Sequence, residues 1–156
     1  MRLFLRFSAA VSAALLASGG ASAQQGACTG REGPVRLNVV VEGVREAKGL
    51  IAITLYADDP DRFLARRGSL YVGRTPAHAP VTSTCIYLPS NGIYALGVYH
   101  DEDGDRGFDR NAVGLPTEGV GFSNNPRLIL SIPTFRSVRL SVPRDNMRTT
   151  IRLRYP

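Results

Sequence analysis

The chain has 156 residues, of which 44% are hydrophobic and 21% are charged, and its formal net charge is +6. This length is that of one domain or a little less. Lys48 is the only lysine among the 19 basic residues, so arginine carries almost all of the basic charge.

The first 23 residues have the pattern of a secretory signal peptide. Arg2 and Arg6 precede an apolar run over residues 9–17, and Ala21-Ser22-Ala23 supplies the small residues of a cleavage site. The run is shorter than the roughly 20 residues that span a bilayer, although an uncleaved anchor is the alternative. We therefore expect cleavage after Ala23, a periplasmic or secreted domain over residues 24–156, and no transmembrane segment after cleavage.

The only two cysteines are Cys28 and Cys85. In an oxidising compartment, two cysteines without a third favour a single disulfide. The alternative is a metal-binding or nucleophilic pair, but the sequence has neither a C-x-x-C spacing nor a nearby histidine to support it.

Alternation of apolar and polar residues predicts most of the secondary structure. Val35, Leu37, Val39 and Val41 alternate with polar residues, and residues 49–56 form a run apolar enough for burial on both faces. Further strands are predicted over residues 80–88, 93–99, 137–142 and 149–155. The last two should pair as a hairpin across the turn at 143–146, with Val138, Leu140, Val142, Ile151 and Leu153 facing inward.

Helix signals are almost absent. The one candidate covers residues 60–66, with Asp59 as cap and Pro60 in the first turn. Six or seven short strands in about 130 residues predict an all-β fold, a single antiparallel β-sandwich of immunoglobulin-like or transthyretin-like type. Residues 100–125 show neither pattern, and so long a connection in a compact domain is usually functional, disordered or held by a ligand.

This long connection begins with an acidic segment. Five of the 13 acidic residues fall within positions 101–109, with glycines between them. Hard cations take six to eight oxygen ligands, and Ca²⁺ accepts more protein ligands than Mg²⁺ does. The predicted Ca²⁺ ligands are Asp101, Asp103, Asp105, Asp109, a carbonyl near Gly107, and Glu118.

The acidic segment differs from an EF-hand. Gly107 stands at the seventh position rather than the sixth, Ala112 stands where the bidentate glutamate belongs, and the flanks read as strands. The alternative is a solvated turn rich in aspartate and glycine. Each close carboxylate pair costs about 1 kcal/mol in water, and Arg106 and Arg110 could offset part of that repulsion, so the sequence leaves both interpretations open.

Three motifs resemble a bacterial family known as domain of unknown function 2141. They are Gly92-Ile93-Tyr94, His100-Asp101 with the acidic segment after it, and the stretch from Gly114 to Asn125. The resemblance extends over roughly residues 35–155 and implies an exported domain, but no activity. Residues 114–125, called the partner loop below, are expected to face an unknown envelope partner through Gly114, Pro116, Glu118, Gly119, Gly121, Phe122, Ser123 and Asn124.

Two alternative functions use other residues. His100 and Glu118 could serve a metal-dependent periplasmic hydrolase, but Gly121-Phe122-Ser123-Asn124-Asn125 lacks the second glycine of a nucleophile elbow. An arginine-rich strand face could instead bind an acidic envelope ligand. Its residues are Arg127, Arg136, Arg139, Arg144, Arg148, Arg152 and Arg154. Nucleic acid is disfavoured by the leader and by the lack of a recognition motif. The expectation is a non-enzymatic envelope module that binds Ca²⁺.

Overall fold

The computed structural model describes residues 27–127 and 132–156, so the predicted signal peptide lies outside the described residues. Within these ranges the chain forms eight strands and one four-residue helix. They are β1 (Val35–Glu42), β2 (Leu50–Ala57), β3 (Tyr71–Pro76), β4 (Val81–Leu88), β5 (Gly92–Asp101), β6 (Val120–Phe122), α1 (Phe135–Val138), β7 (Leu140–Val142) and β8 (Met147–Arg152). Among the described residues, no helix has the length and hydropathy that a membrane crossing requires.

The strands form two sheets. One has the order β4-β1-β8; the other has the order β3-β2-β5-β6, and β7 also pairs with β5. The predicted all-β sandwich is confirmed. However, β1 and β8 run parallel, so the smaller sheet is mixed and the prediction of a purely antiparallel sandwich is wrong for that pair.

The core lies between the inner faces of the two sheets. Leu37, Val39 and Val41 of β1 are almost fully buried, as the alternation predicts, and they belong to one cluster with Ile53 of β2 and Leu96 of β5. Each such aliphatic side chain contributes about 1.5–3 kcal/mol when it leaves water. The hydrophobic effect therefore fixes which face of each strand points inward.

A second apolar cluster covers one end of the outer face of the larger sheet, the face turned away from the smaller sheet. We call it the aromatic cluster, and its members are Tyr56, Phe63, Ala95, Phe122, Phe135 and Val138. The rings of Tyr56 and Phe63 meet edge to face with centroids 5.2 Å apart. This packing leaves the rest of the outer face to the long connection after β5.

The disulfide is confirmed. Cys28 and Cys85 are bonded, with Cα atoms 4.7 Å apart and a sequence separation of 57. Beside it, the N–H of Thr29 donates to the carbonyl of Cys85 at 2.8 Å. The disulfide and this hydrogen bond thus hold the first described residues against β4.

The predicted C-terminal hairpin is wrong. β7 pairs with β5 in the larger sheet, whereas β8 pairs with β1 in the smaller one. The turn at 143–146 crosses between the sheets because it bonds to β1: Asp145 Oδ1 accepts the N–H of Arg36 at 2.7 Å, and Asn146 donates its N–H to the carbonyl of Arg36 at 2.9 Å. Of the predicted inward residues, Val142, Ile151 and Leu153 are buried in the core and Leu140 packs against it, as predicted. Val138 is different: it ends α1 and is buried in the aromatic cluster on the outer face, so its predicted inward position in a strand is wrong.

The predicted helix at residues 60–66 is also wrong, because the chain forms turns there. Leu64 and Arg67 have φ angles of 56° and 59°, which a right-handed helix does not allow. The strands β3 and β6 were missed. β3 contains Gly73 and Arg74 in place of a clear alternation, and β6 has only three residues.

Candidate functional site

Asp101 organises the start of the long connection. It is the last residue of β5 and is fully buried. Its Oδ1 accepts the N–H of Gly104 at 2.8 Å, and its Oδ2 accepts the N–H of Arg106 at 3.0 Å. The chain can turn this sharply because Gly104 and Arg106 adopt left-handed φ angles of 77° and 69°. Asp101 thereby folds the acidic segment back on itself.

The next two aspartates extend this turn with side-chain-to-backbone hydrogen bonds. Asp103 Oδ1 accepts the N–H of Asp105 at 3.1 Å, and Asp105 Oδ1 accepts the N–H of Gly107 at 2.5 Å. Such bonds are a common reason for aspartate in turns. Gly107 was predicted to lie near a carbonyl ligand of the ion; the group that bonds to Asp105 is its backbone N–H. The carboxylates of Asp103 and Asp105 remain exposed to solvent.

Glu118 joins the two ends of the acidic segment. Only 6% of it is exposed, and its carboxylate accepts the N–H of Glu102 at 3.3 Å and that of Asp109 at 3.2 Å. Burial raises the pKa of Glu118, and the nearby charges of Asp101 and Asp109 raise it further, while the two backbone N–H groups lower it. Ionisation of this carboxyl therefore costs more free energy than ionisation of an exposed glutamate does.

The predicted carboxylate ligands come together in two groups. Asp101, Asp103 and Asp105 form one, and Asp103, Asp109 and Glu118 form the other; within each group the potential ligand atoms lie within 4.8 Å of one another. Asp103 belongs to both. All-oxygen ligand sets of this kind suit a hard cation, and a carboxylate oxygen that accepts one N–H keeps a second lone pair for a metal.

The arginines do not neutralise these carboxylates. Arg110 lies over the ring of Phe108, 4.7 Å from its centroid, and donates to the carbonyl of Gly114 at 2.9 Å. The salt bridges of the described residues include neither Arg106 nor Arg110. The compensation that the sequence suggested for these two residues is absent from the described structure.

His100 is enclosed in the protein. None of its surface is exposed. Its Nδ1 lies 2.8 Å from the hydroxyl of Tyr155, and its Nε2 lies 2.7 Å from the carbonyl oxygen of Lys48. Both ring nitrogens thus have internal partners, and the ring ties β5 to the segment before β2 and to the C-terminus.

Much of the partner loop is interior. Residues 118–123 are buried, and only residues 114–117, 124 and 125 present surface. Ser123 Oγ donates to the carbonyl of Val138 at 2.5 Å and accepts the N–H of Leu96 at 3.0 Å. Asn124 donates to the carbonyl of Arg139 at 2.7 Å. The second half of the partner loop therefore anchors the connection to β5 and α1.

Two glycines of the partner loop sit where a side chain would collide. A Cβ at Gly119 would overlap the ring of Tyr155, and one at Gly121 would lie 2.7 Å from the carbonyl oxygen of Arg152. Close packing thus accounts for these two glycines.

The arginine-rich strand face is partly paired with acids. Arg139 forms a bidentate bridge to Asp58 with distances of 2.6 and 2.5 Å, and Arg152 contacts Glu42 at 3.0 Å. Arg127, Arg136, Arg144, Arg148 and Arg154 are exposed. The positive surface is therefore smaller than the arginine count suggests.

A family model described as "Uncharacterized protein conserved in bacteria (DUF2141)" matches residues 39–151. No curated protein and no solved structure matches the chain.

Proposed function

The chain belongs to this uncharacterised bacterial family, and on that premise we propose that it is an exported, non-enzymatic module of the cell envelope. Its acidic segment binds Ca²⁺, and the bound ion holds the exposed part of the partner loop, residues 114–117, for an envelope partner. The observation that carries this proposal is that the acidic side chains come together in two clusters of three, and that Asp103 belongs to both. The disulfide supports export, because such bonds persist in oxidising compartments.

Charge supports a cation at this place. Asp101, Asp103, Asp105, Asp109 and Glu118 converge without a salt bridge from any described arginine. Each pair of such charges repels by roughly 1 kcal/mol in water and by more near a protein surface. A divalent ion would replace this repulsion with attraction.

The number of available ligands favours Ca²⁺ over Mg²⁺. Mg²⁺ demands octahedral geometry and keeps most of its waters, so it uses only one or two carboxylates. Ca²⁺ takes six to eight oxygens in flexible geometry, which suits carboxylates supplied by a turn rich in glycine.

The protein sample comprises residues 24–156 with the disulfide formed. Millimolar Ca²⁺ is expected to raise its melting temperature by on the order of 5–10 °C relative to EDTA. A ligand that binds only the folded state stabilises it by about 2.7 kcal/mol at a hundredfold excess over its Kd. Mg²⁺ should raise the melting temperature less. Asp103→Asn should abolish most of the Ca²⁺ effect, and Asp61→Asn, at an exposed acid of the turn before β3, is the matched control. Equal melting temperatures in EDTA and Ca²⁺ would refute the calcium site.

Glu118→Gln is expected to have opposite effects in EDTA and in Ca²⁺. Because the pKa of Glu118 is raised, its protonated form stabilises the ion-free fold, and this contribution is lost as the pH rises through the raised pKa. The wild type in EDTA should therefore lose stability relative to Glu118→Gln as the pH rises from the ordinary glutamate pKa of about 4.3 through the raised pKa of Glu118. In Ca²⁺ the order should reverse, because the variant has lost an anionic ligand. Melting curves of both proteins across this pH range, with and without Ca²⁺, measure the effect, and parallel curves would contradict it.

A further inference from the structure

A groove crosses the outer face of the larger sheet, and its position follows from Gly97. In the register of the sheet, Gly97 lies between Thr54 of β2 and Phe122 of β6. The aromatic cluster covers the face on one side. On the other side Phe108 packs on Tyr99, with ring centroids 5.2 Å apart. Because Gly97 has no side chain, a cavity of about 510 Å³ remains between them.

The rim of this groove collects exposed apolar side chains. Six large hydrophobic residues are exposed among the described residues, and four of them line the groove. They are Leu64, Val113, Leu115 and Ile132, with exposures of 43%, 78%, 42% and 61%. Scattered exposed hydrophobic residues are ordinary, but a concentration at one concave site marks a binding surface.

Among the described residues that line the groove, one is charged, and its charge is positive. Arg110 lines the groove with its guanidinium over Phe108, and it has no acidic partner among the described salt bridges. The other polar side chains of the lining are hydroxyl-bearing: Thr54, Tyr56 and Tyr99. An occupant complementary to this lining has an apolar body and a single anionic head.

The floor argues against an extended peptide as occupant. Peptides that add to a sheet bond to the free backbone groups of an edge strand. Here the floor is the side-chain face of β2, β5 and β6, and β5 is paired on both sides. The volume lies within the roughly 300–1,000 Å³ of small-molecule sites. An acyl chain needs no backbone partners and fits such a floor.

We propose that this groove binds a free long-chain carboxylate, with the acyl chain over Gly97 and the carboxylate on Arg110. The site is separate from the proposed calcium site, since its lining includes none of the five carboxylate residues. It would make the protein a carrier or sensor of amphipathic anions in the envelope.

The test is an isothermal titration of the exported, disulfide-bonded protein with dodecanoate below its micellar concentration, in EDTA and again in millimolar Ca²⁺. One-to-one binding in either buffer is the expected result. Dodecanol should bind at least tenfold more weakly because it lacks the charge, and dodecyltrimethylammonium should bind more weakly still. No binding of dodecanoate in either buffer would overturn the proposal and leave the calcium site untouched.

Gly97→Val places a side chain on the floor. A Cβ there would lie 3.5 Å from the ring of Phe122 and 3.8 Å from that of Tyr56, which are ordinary contacts, so the fold should be kept. Dodecanoate affinity should fall at least tenfold. Val113→Gln, at a residue that is 78% exposed on the rim, tests the same groove should the first variant fail to fold, and we expect a threefold or greater loss.

Arg110→Gln tests the head group. It should weaken dodecanoate about tenfold and leave dodecanol unchanged. Ile93→Ala is the matched control, because Ile93 is 38% exposed and lies outside the lining. If neither Gly97→Val nor Val113→Gln lowers the dodecanoate affinity, the ligand binds elsewhere and the proposed groove is refuted. The same conclusion follows if Ile93→Ala lowers the affinity as much as they do. An equal loss for acid and alcohol in Arg110→Gln would overturn the assigned head group.

Discussion

Replacing Cys28 and Cys85 together by serine is expected to lower the free energy of unfolding by about 4 kcal/mol. The disulfide closes a loop of 57 residues, and in the chain-entropy model a closed loop of this length restricts the unfolded chain by that amount. Small domains have a total stability of roughly 5–15 kcal/mol. The double variant should therefore remain folded at 25 °C but with a much smaller free energy of unfolding.

Chemical unfolding in urea measures this loss. The slope of the free energy against urea should increase in the variant, because an unfolded chain without the cross-link expands and exposes more surface. The wild type treated with reductant is the matched control and should follow the variant. A variant within about 1 kcal/mol of the oxidised wild type would mean that the disulfide adds little to stability.

His100→Ala is expected to cost about 3–5 kcal/mol of unfolding free energy. The change empties a fully buried site and leaves the carbonyl of Lys48 without its side-chain partner. The hydroxyl of Tyr155 also loses the ring nitrogen and keeps the N–H of Arg45 as a hydrogen-bond partner. Each buried polar group left unpaired costs about 1–3 kcal/mol, and the cavity adds to that.

His78→Ala is the matched control, because His78 is the only other histidine and its side chain is exposed. It should change the unfolding free energy by less than about 0.5 kcal/mol. Tyr155→Phe removes one of the two partners of His100 and should cost about 1–2 kcal/mol. A His100→Ala protein as stable as the wild type would show that the enclosed ring is dispensable for the fold. A loss of function in an unstable His100→Ala protein would carry no information about catalysis.

The strands of the core were predictable because burial imposes a period on them. β1 shows the alternation directly, and β2, β4 and β5 lie within one or two residues of the predicted runs. The destination of β8 was not predictable. The turn chemistry at 143–146 suits a hairpin, and only the bonds of Asp145 and Asn146 to Arg36, more than 100 positions away, direct the chain to the other sheet.

The candidate site was predictable only where its residues are neighbours in sequence. The spacing of the aspartates anticipated their convergence, and the partner loop motif pointed to Glu118. The interior position of residues 118–123 escaped prediction, because a glycine-rich segment gives no sign of what packs against it. The groove was not predictable either, because Gly97 forms its floor only through the pairing of β5 with Thr54 and Phe122 on the neighbouring strands.

The parallel pairing of β1 and β8 has a consequence for biogenesis. Leu37 pairs with Met147 and Glu42 pairs with Arg152. The smaller sheet is therefore complete only when β8 has paired with β1. Such pairings give a high contact order and slow folding. Because β1 and β8 lie at opposite ends of the described domain, the smaller sheet can be completed only after the chain has been synthesised through residue 152.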